Sequence, residues 1–177
     1  MALRGYTKST VCLPVNGGVR EIRAFEASEI DTFTYDATTH TFTAVSVTTG
    51  AVAKNYEFKE DTAEFKIAKN GENGSVKFTN TIDFDIEKMD QECARSVQDL
   101  ADKSYCGMVF FVQQQIDTTT QWWVVGYDPT NLKKRPVRLL GGEGTSGKKL
   151  DDGNMETVSL GNETPIRPIL FTGTLPV

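Results

Sequence analysis

The stretch from Ser75 to Tyr127 constrains the fold more than any other part of the chain, because its hydrophobic period changes along its length. From residue 75 to 86 apolar and polar residues alternate, which predicts a strand with one face toward a core. A helical period follows and places six residues on one face: Ile86, Met89, Cys93, Val97, Leu100 and Ala101. We therefore predict a helix over about residues 88–103, with Asp85 or Asp90 as its N-cap and Gly107 just beyond its end.

Two apolar runs, Met108–Val112 and Trp122–Tyr127, follow the helix and are joined by a polar segment, which is typical of a hairpin. Neither run alternates, so both faces of these strands are expected to be covered. The simplest arrangement places the helix on one side and a second sheet, or another chain, on the other. The predicted fold is mainly β: a two-sheet β-sandwich or barrel with one flanking α-helix and an extended hairpin.

The remaining segments are short, rich in threonine and β-like. The turn at residues 16–18 predicts a hairpin between Thr7–Pro14 and Val19–Ala24. Between Asp31 and Lys69 large apolar residues are sparse. This region is either a mobile or edge hairpin that finds its partner outside the subunit, or an ordinary exposed meander.

Glycine dominates the segment from Gly141 to Gly153, which contains five of them, and regular structure is not expected there. Further strands are predicted elsewhere by short apolar or alternating runs at residues 51–58, 62–68, 137–140, 155–160 and 169–172.

Composition bounds the class of protein. With 177 residues, 38% of them hydrophobic and 24% charged, the chain suits one globular domain over residues 1–177. Its apolar runs are too short for a membrane-spanning helix, and no secretory signal is recognised, so synthesis in a cytoplasm is expected. The cysteines Cys12, Cys93 and Cys106 are predicted to be small buried residues. A net charge of −5 argues against a protein that grips nucleic acid, but permits one that lets nucleic acid pass.

Two segments imitate ligand-binding motifs. Residues 142–149 nearly match a phosphate-binding loop, but Lys149 stands where the motif needs Ser or Thr, which favours a surface loop. Asp151, Asp152 and Asn154 surround Gly153 as in a calcium loop, yet Ser159 occupies the position of the essential glutamate, which favours a turn.

Catalytic chemistry has little support in the residue pattern. His40 is the only histidine, and the chain contains neither a Gly-x-Ser-x-Gly nor a Cys-x-x-Cys motif. Asp83 and Asp85 are indistinguishable from the solvent face of a strand. We predict no catalytic residue, no cofactor and no metal. Trp122 and Trp123 are suited to stacking on a sugar or base, but their apolar strand favours a core or an interface.

The order of elements resembles that of bacteriophage tail-tube proteins and their relatives in contractile injection systems and type VI secretion tubes. The matching features are the alternating strand Val76–Ile86, the amphipathic helix ending near Lys103, and the runs Met108–Val112 and Trp123–Tyr127. The final part is also similar to the closing segment of several tail-tube proteins: Ser146 and Gly147, then Asp151–Asn154, then Val158–Gly161.

This resemblance implies a structural virion protein. Six subunits are expected to pair their sheets into a ring, and stacked rings to form a tail tube through which double-stranded DNA passes without specific binding. The segment Asp31–Lys69 is expected to be the stacking hairpin. Further expectations are contacts with other phage tail proteins, location in the virion tail and synthesis in the host cytoplasm. Seven aromatic residues are the expected inter-subunit contacts: Phe33, Tyr35, Phe42, Tyr56, Phe58, Phe65 and Trp122.

An acidic tube lining would repel the phosphates of passing DNA. The alternative function is a carbohydrate- or protein-binding β-sandwich of the receptor-binding or adhesion type, which would use the two tryptophans.

Overall fold

A computed structural model describes residues 18–72, 75–115, 121–129, 131, 133–146 and 154–176. The described elements are β1 (Val19–Glu26), β2 (Ile30–Asp36), β3 (Thr41–Val47), β4 (Lys54–Tyr56), β5 (Glu64–Glu72), β6 (Ser75–Glu87), α1 (Gln91–Ser104), β7 (Met108–Gln114), β8 (Trp122–Val125), β9 (Tyr127–Asp128), β10 (Lys133–Lys134), β11 (Arg138–Thr145), β12 (Met155–Thr164) and β13 (Ile169–Phe171). The protein is mainly β with one helix, so the predicted fold class is confirmed.

Two sheets make up most of the molecule. The seven-stranded sheet has the order β2-β3-β13-β8-β7-β1-β4, and the four-stranded sheet has the order β11-β12-β6-β5. A short two-stranded ribbon, β10-β9, completes the described sheets. All pairings are antiparallel except that of β13 with β3. The four-stranded sheet is thus antiparallel throughout and joins two strand pairs, β5-β6 and β11-β12, through the pairing of β6 with β12.

Helix α1 begins three residues later than predicted. Lys88 has a φ of 67° and lies outside the helix, and the Asp90 carboxylate caps the first turn by accepting a 2.8 Å hydrogen bond from the Cys93 amide. Asp90, not Asp85, is therefore the N-cap. The chain leaves the helix at Gly107, whose φ of 83° requires glycine and whose amide donates to the Lys103 carbonyl at 2.8 Å.

The β7-β8 hairpin is the centre of the structure, and both of its faces are buried within the chain. Met108, Phe110 and Val112 join the core between the two sheets, together with Ile82 and Phe84 of β6 and other apolar side chains. Val109 and Phe111 project to the opposite side. There they meet a second core, which includes Phe25, Ile30, Phe33, Phe42, Phe171 and Leu175.

The second face of β7 is therefore covered by side chains from other strands of the same sheet, among them β2 and β3, and by Leu175. The expected alternative, cover by another chain, is not needed for β7.

The segment Asp31–Lys69 is neither one hairpin nor a simple exposed meander. It is distributed over β2 and β3 at one edge of the seven-stranded sheet, β4 at the other edge, and the first part of β5. Phe33 and Phe42 are only 6% and 0% exposed, and the Phe33 ring lies 4.5 Å from that of Tyr127. Large apolar residues are sparse in this region, as the sequence indicates, but Phe33 and Phe42 still reach a core because both join a shared aromatic cluster.

Three other predictions need correction or lie outside the described residues. The glycine-rich run is in part a regular strand, since Gly141–Thr145 pair with β12 from Ser159 to Met155. Only Lys54–Tyr56 of the predicted strand at 51–58 pairs with a neighbour. Val19–Glu26 is a strand as expected, whereas Thr7–Pro14 and residues 147–153 are not among the described residues.

Candidate assembly surfaces

Titratable and nucleophilic side chains do not converge on one site in the described part of the chain. His40 is occupied by a 2.6 Å hydrogen bond between its Nδ1 and the Tyr35 hydroxyl. No group of three or more His, Cys, Asp or Glu residues is arranged to hold a metal ion among the described residues. Asn154, which the calcium interpretation would have used, instead accepts a 3.1 Å hydrogen bond from the Met89 amide.

Two cysteines differ sharply in environment. Cys93 is 5% exposed, and burial together with the neighbouring Glu156 carboxylate raises the pKa of its thiol. A raised pKa keeps the thiol protonated, which is the opposite of what a nucleophile needs. Cys106 is exposed, so its predicted burial was wrong: it follows the last turn of α1 and lies outside the helix's apolar face.

Three of the seven predicted inter-subunit residues belong to the subunit's own core. Phe33, Phe42 and Trp122 are at most 6% exposed. Trp122 is also covered by Arg23, whose guanidinium carbon lies 5.2 Å from the ring centroid. These side chains offer no surface to a partner, and Trp122 has no open face for a sugar. For Trp122 the apolar strand favoured a core or an interface, and the residue lies in the core. Burial of Phe33 and Phe42 depends on pairing between distant strands, which local sequence patterns do not report.

The other four predicted contacts, Tyr35, Tyr56, Phe58 and Phe65, are half-buried. Tyr56 packs between the sheets, with its ring 6.0 Å from Phe110 and 6.4 Å from Phe84. Burial raises the pKa of Tyr56 to about 12, and the negative charges of Asp99 and Glu26 contribute to the same shift. Their contact with another subunit stays a prediction.

The strongest candidate surfaces are the two outer edges of the four-stranded sheet. Strand β5 is hydrogen-bonded to β6 over nine residues and has no second partner strand in the described part of the chain. Strand β11 pairs with β12 only, and seven of its eight residues are exposed. The Leu139 amide is satisfied by the Ser104 hydroxyl at 2.7 Å, which leaves residues 141–144 as the open part of this edge. Unpaired backbone of this kind is a template for another chain.

The outer face of the same sheet is polar and acidic. Asp83 accepts a 2.5 Å hydrogen bond from the Ser159 hydroxyl, and Asp85 accepts one of 2.7 Å from Thr157. Glu64 and Glu163 lie on this face as well, each paired at 2.7 Å with a lysine, Lys66 and Lys77 respectively. The opposite face supplies Ile82, Phe84, Val158 and Leu160 to the core. The four-stranded sheet therefore has one face buried in the core and one polar face exposed to solvent.

A groove runs between α1 and the short edge strand β4. One part, of about 410 Å³, is lined by residues that include Phe25, Tyr56, Asp99 and Met108. A second part, of about 530 Å³, lies at the start of the helix beside Phe58, Glu87 and Glu92. Periodicity in the sequence places the helix but gives no sign of this groove, because β4 is only three residues long.

Comparison with known proteins adds no relative. No protein-family model, curated protein or solved structure matches this chain. In the described residues, no helix combines the length and apolar character that crossing a membrane requires.

Proposed function

We propose that the protein is a structural subunit that pairs edge to edge with copies of itself to form a ring, and that stacked rings form a tube of the phage tail-tube type. The observation that carries this proposal is that both open edges, β5 and β11, belong to one four-stranded sheet. A copy placed beside either edge would extend the sheet.

Strand direction supports this pairing. Each strand of the four-stranded sheet is antiparallel to its neighbour, so β11 and β5 run in opposite directions. The β5 edge of one copy beside the β11 edge of the next therefore continues the antiparallel alternation without a break. The two edges are different surfaces, so the contact is head-to-tail, and such contacts generate rings when the rotation closes.

The stagger of the two edges fits a closed, tilted sheet. Gly141 of β11 and Glu64 of β5 lie in the same row, because Gly141 pairs with Ser159, Ser159 with Asp83, and Asp83 with Glu64. From this row β11 extends toward the start of the helix and β5 extends the other way. Pairing them between copies shifts each subunit along the strand direction, which is the shear that tilts strands in a closed barrel.

The acidic face would line the lumen. The seven-stranded sheet and α1 both contribute to the core on the other face of the four-stranded sheet, so the bulk of each subunit lies on that side. In a ring of such subunits, the seven-stranded sheet and α1 would lie on the outside, and the polar face of the four-stranded sheet would face the lumen. Carboxylates there, including Asp83 and Asp85, would repel DNA phosphates and keep the passage free of tight contacts. In this proposal the ring has six subunits, joins other tail proteins and resides in the virion.

Two proline variants test the edge contact. Adjacent residues of a strand direct their amides in opposite directions, so in Ala68→Pro and Lys69→Pro one lost amide pairs with β6 and the other faces outward. The variant that loses the amide paired with β6 should have a lower melting temperature as a monomer. The variant that loses the outward-facing amide should keep its melting temperature and form no rings.

Electron microscopy and sedimentation velocity of concentrated protein measure the rings. A wild-type chain that stays monomeric at every concentration and is absent from purified virions by mass spectrometry would refute the assembly. Rings that survive in both proline variants would show that β5 is not the contact edge.

A further inference from the structure

The register between β6 and β12 decides how the two outer edges of the four-stranded sheet are staggered. In the described part of the chain, these two strands are the only link in the ladder between the pairs β5-β6 and β11-β12. Each pair holds its own register, since Glu72 pairs with Ser75 two residues past it, and β11 is paired with β12 along most of its length. A shift of β6 against β12 would therefore move the β5 edge relative to the β11 edge.

The polar face of the sheet does not by itself exclude such a shift. The side-chain period of a strand is two, so a shift by two residues keeps each side chain on its present face. Ser159 would move from Asp83 to Asp85, and a hydroxyl would again face a carboxylate. In the same way Thr157 would move from Asp85 to Glu87. The pattern of hydroxyls and carboxylates thus fits both registers.

The buried face discriminates at its asparagines. After the same shift, Val158 and Leu160 would still face apolar residues of β6. Asn162, by contrast, now faces Asn80 and would face Ile82. The opposite shift would also bring both asparagines to apolar partners. The observed register is therefore the one that pairs the two buried-face amides with each other.

The two asparagines belong to a hydrogen-bonded relay. The Asn80 side-chain amide donates to the Asn162 Oδ1 at 2.9 Å, and the Asn162 Nδ2 donates to the Arg135 carbonyl at 2.7 Å. The Arg135 amide in turn donates to the Gly126 carbonyl at 2.8 Å. Because Gly126 lies between β8 and β9, the relay connects β6 and β12 to the end of the central β7-β8 hairpin.

Asn80 is poorly suited to a role in stability alone. It is 1% exposed, and its Oδ1 is buried without a hydrogen-bond partner among the described residues. Turning the amide would not help, because Asn162 donates to Arg135 and presents its oxygen to Asn80. A buried polar atom without a partner costs free energy. A polar residue at one buried position can, however, fix a register that apolar residues alone would leave open.

We propose that Asn80 and Asn162 are positioning residues that lock β6 and β12 in one register and thereby set the stagger between the β5 and β11 edges. A two-residue shift would displace one edge against the other by about 7 Å, at about 3.3 Å per residue. Copies with different stagger would not close the same ring. This consequence for the ring rests on the proposed function, whereas the register lock does not. Asn154 also favours the observed register through the amides of Lys88 and Met89, but all three residues are exposed at the end of the ladder.

Cysteine cross-linking on the polar face measures the register directly. Glu163 lies opposite Thr79, and the two-residue shift would bring it opposite Thr81. Opposite residues of antiparallel strands have Cα atoms about 4.5–5.5 Å apart, within the range of a disulfide, whereas diagonal neighbours at about 7–8 Å lie beyond it. Glu163→Cys with Thr79→Cys therefore reports the observed register, and Glu163→Cys with Thr81→Cys reports the shifted one.

Each cysteine pair is made in the wild type, in the double variant Asn80→Val with Asn162→Val, and in the control Asn154→Ala, which removes the hydrogen bond to the exposed Met89 amide. Mild oxidation of monomeric protein forms the disulfides, and peptide mass spectrometry distinguishes them from bonds to the natural cysteines. Circular dichroism checks the fold, and Asn80→Ala with Asn162→Ala replaces the valine variant in the cross-linking if that variant does not fold.

In the wild type and the control, only the pair that reports the observed register should cross-link. In the double variant both pairs should cross-link to comparable extents, because valines face apolar residues in either register. Its melting temperature, measured without the added cysteines, should equal or exceed that of the wild type, since the unpaired amide oxygen is gone.

A cross-link through Thr81→Cys in the wild type, or none in the double variant, would overturn the register lock. A lower melting temperature together with the Thr79→Cys cross-link alone would show that the asparagines merely stabilise the sheet.

Electron microscopy of the double variant without added cysteines tests the consequence for assembly. It should form fewer closed rings than the wild type, and equal numbers would refute the link between register and ring. Absence of rings in the wild type would refute the proposed function instead, and the cross-linking would still decide the register lock.

Discussion

The two sheets of this protein are built from similar strands but are buried very differently. In the seven-stranded sheet, six of the seven residues of β7 are buried, and apolar clusters lie on both of its faces. In the four-stranded sheet the core covers one face, and β11 is almost wholly exposed. The first sheet thus has a central strand buried on both sides, whereas the second presents a face and edges that the monomer leaves exposed.

Open edges normally invite aggregation, and proteins protect them with charges. Strand β5 carries Glu64, Lys66 and Lys69, which discourage indiscriminate pairing. The open part of β11, residues 141–144, has glycine at three of its four positions and only Glu143 as a charge. An edge with so little protection is consistent with a strand that is paired in the functional state, as the proposed ring requires.

The largest expected effect comes from the buried sheet. Phe111 is 0% exposed and its ring lies 5.8 Å from Phe25 and 5.6 Å from Phe171. Phe111→Ala should lower the free energy of unfolding by about 3–5 kcal/mol, because it removes a large side chain and leaves a cavity. Denaturant unfolding measures the change. Val76→Ala at the exposed start of β6 is the control and should change stability by less than about 0.5 kcal/mol. Equal losses at both sites would refute the division between the sheets.

Much of this comparison could be predicted from the sequence, because hydrophobic period reports directly on local burial. Alternation in β6 correctly predicted the inward residues in the middle of the strand, since Asn80, Ile82 and Phe84 are all at most 1% exposed. At the start of the strand it failed, because Val76 is 41% exposed. The unbroken apolar run of β7 correctly predicted cover on both faces. The helix and the fold class followed from the same reasoning, since both depend on neighbours in sequence.

What could not be predicted depends on contacts between distant segments. Phe33 and Phe42 stand among threonines, and only pairing of β3 with the C-terminal β13 brings them to the second core. The glycines of β11 suggested a loop because glycine disfavours strands in isolation, yet β12 supplies a complete partner. The groove between α1 and β4 likewise arises from tertiary packing, which no local period reports.

Two adjacent glycines of β11 give a sharper test of this edge. A Cβ added at Gly142 would lie 2.4 Å from the Thr157 carbonyl oxygen, whereas at Gly141 it would meet nothing within 4 Å. Gly142→Ala should therefore destabilise the monomer by about 1–3 kcal/mol, as the strand must move away from β12. Gly141→Ala should be neutral or stabilising by up to about 1 kcal/mol, because it restricts the unfolded chain. Thermal unfolding of both variants decides the matter, and equal destabilisation would mean that β11 does not lie against β12 as described.

The packing of Tyr56 between the two sheets should make the free energy of unfolding fall at high pH. The folded state holds Tyr56 in its neutral form and raises its pKa from 10.0 to about 12. The corresponding stability is complete below pH 10 and is lost as the pH rises to about 12, with a slope of up to about 1.4 kcal/mol per pH unit. Tyr56→Phe should remove this component, so wild type and variant should diverge only in that window. Parallel curves of unfolding free energy against pH would show that the ring is not buried between the sheets.

The smallest effect is expected on the polar face, and it separates folding from assembly. Asp83→Asn with Asp85→Asn removes two charges but keeps an oxygen that can accept the hydroxyl hydrogen bonds of Ser159 and Thr157. The free energy of unfolding should change by less than about 0.5 kcal/mol, because these groups are partly solvated and contribute little as charges. Denaturant unfolding at low and high salt measures this, and a loss above about 2 kcal/mol would mean that the face stabilises the monomer. If stability is unchanged, these carboxylates are free to serve the lumen, and rings of the double variant should then bind added double-stranded DNA more strongly than wild-type rings at low salt.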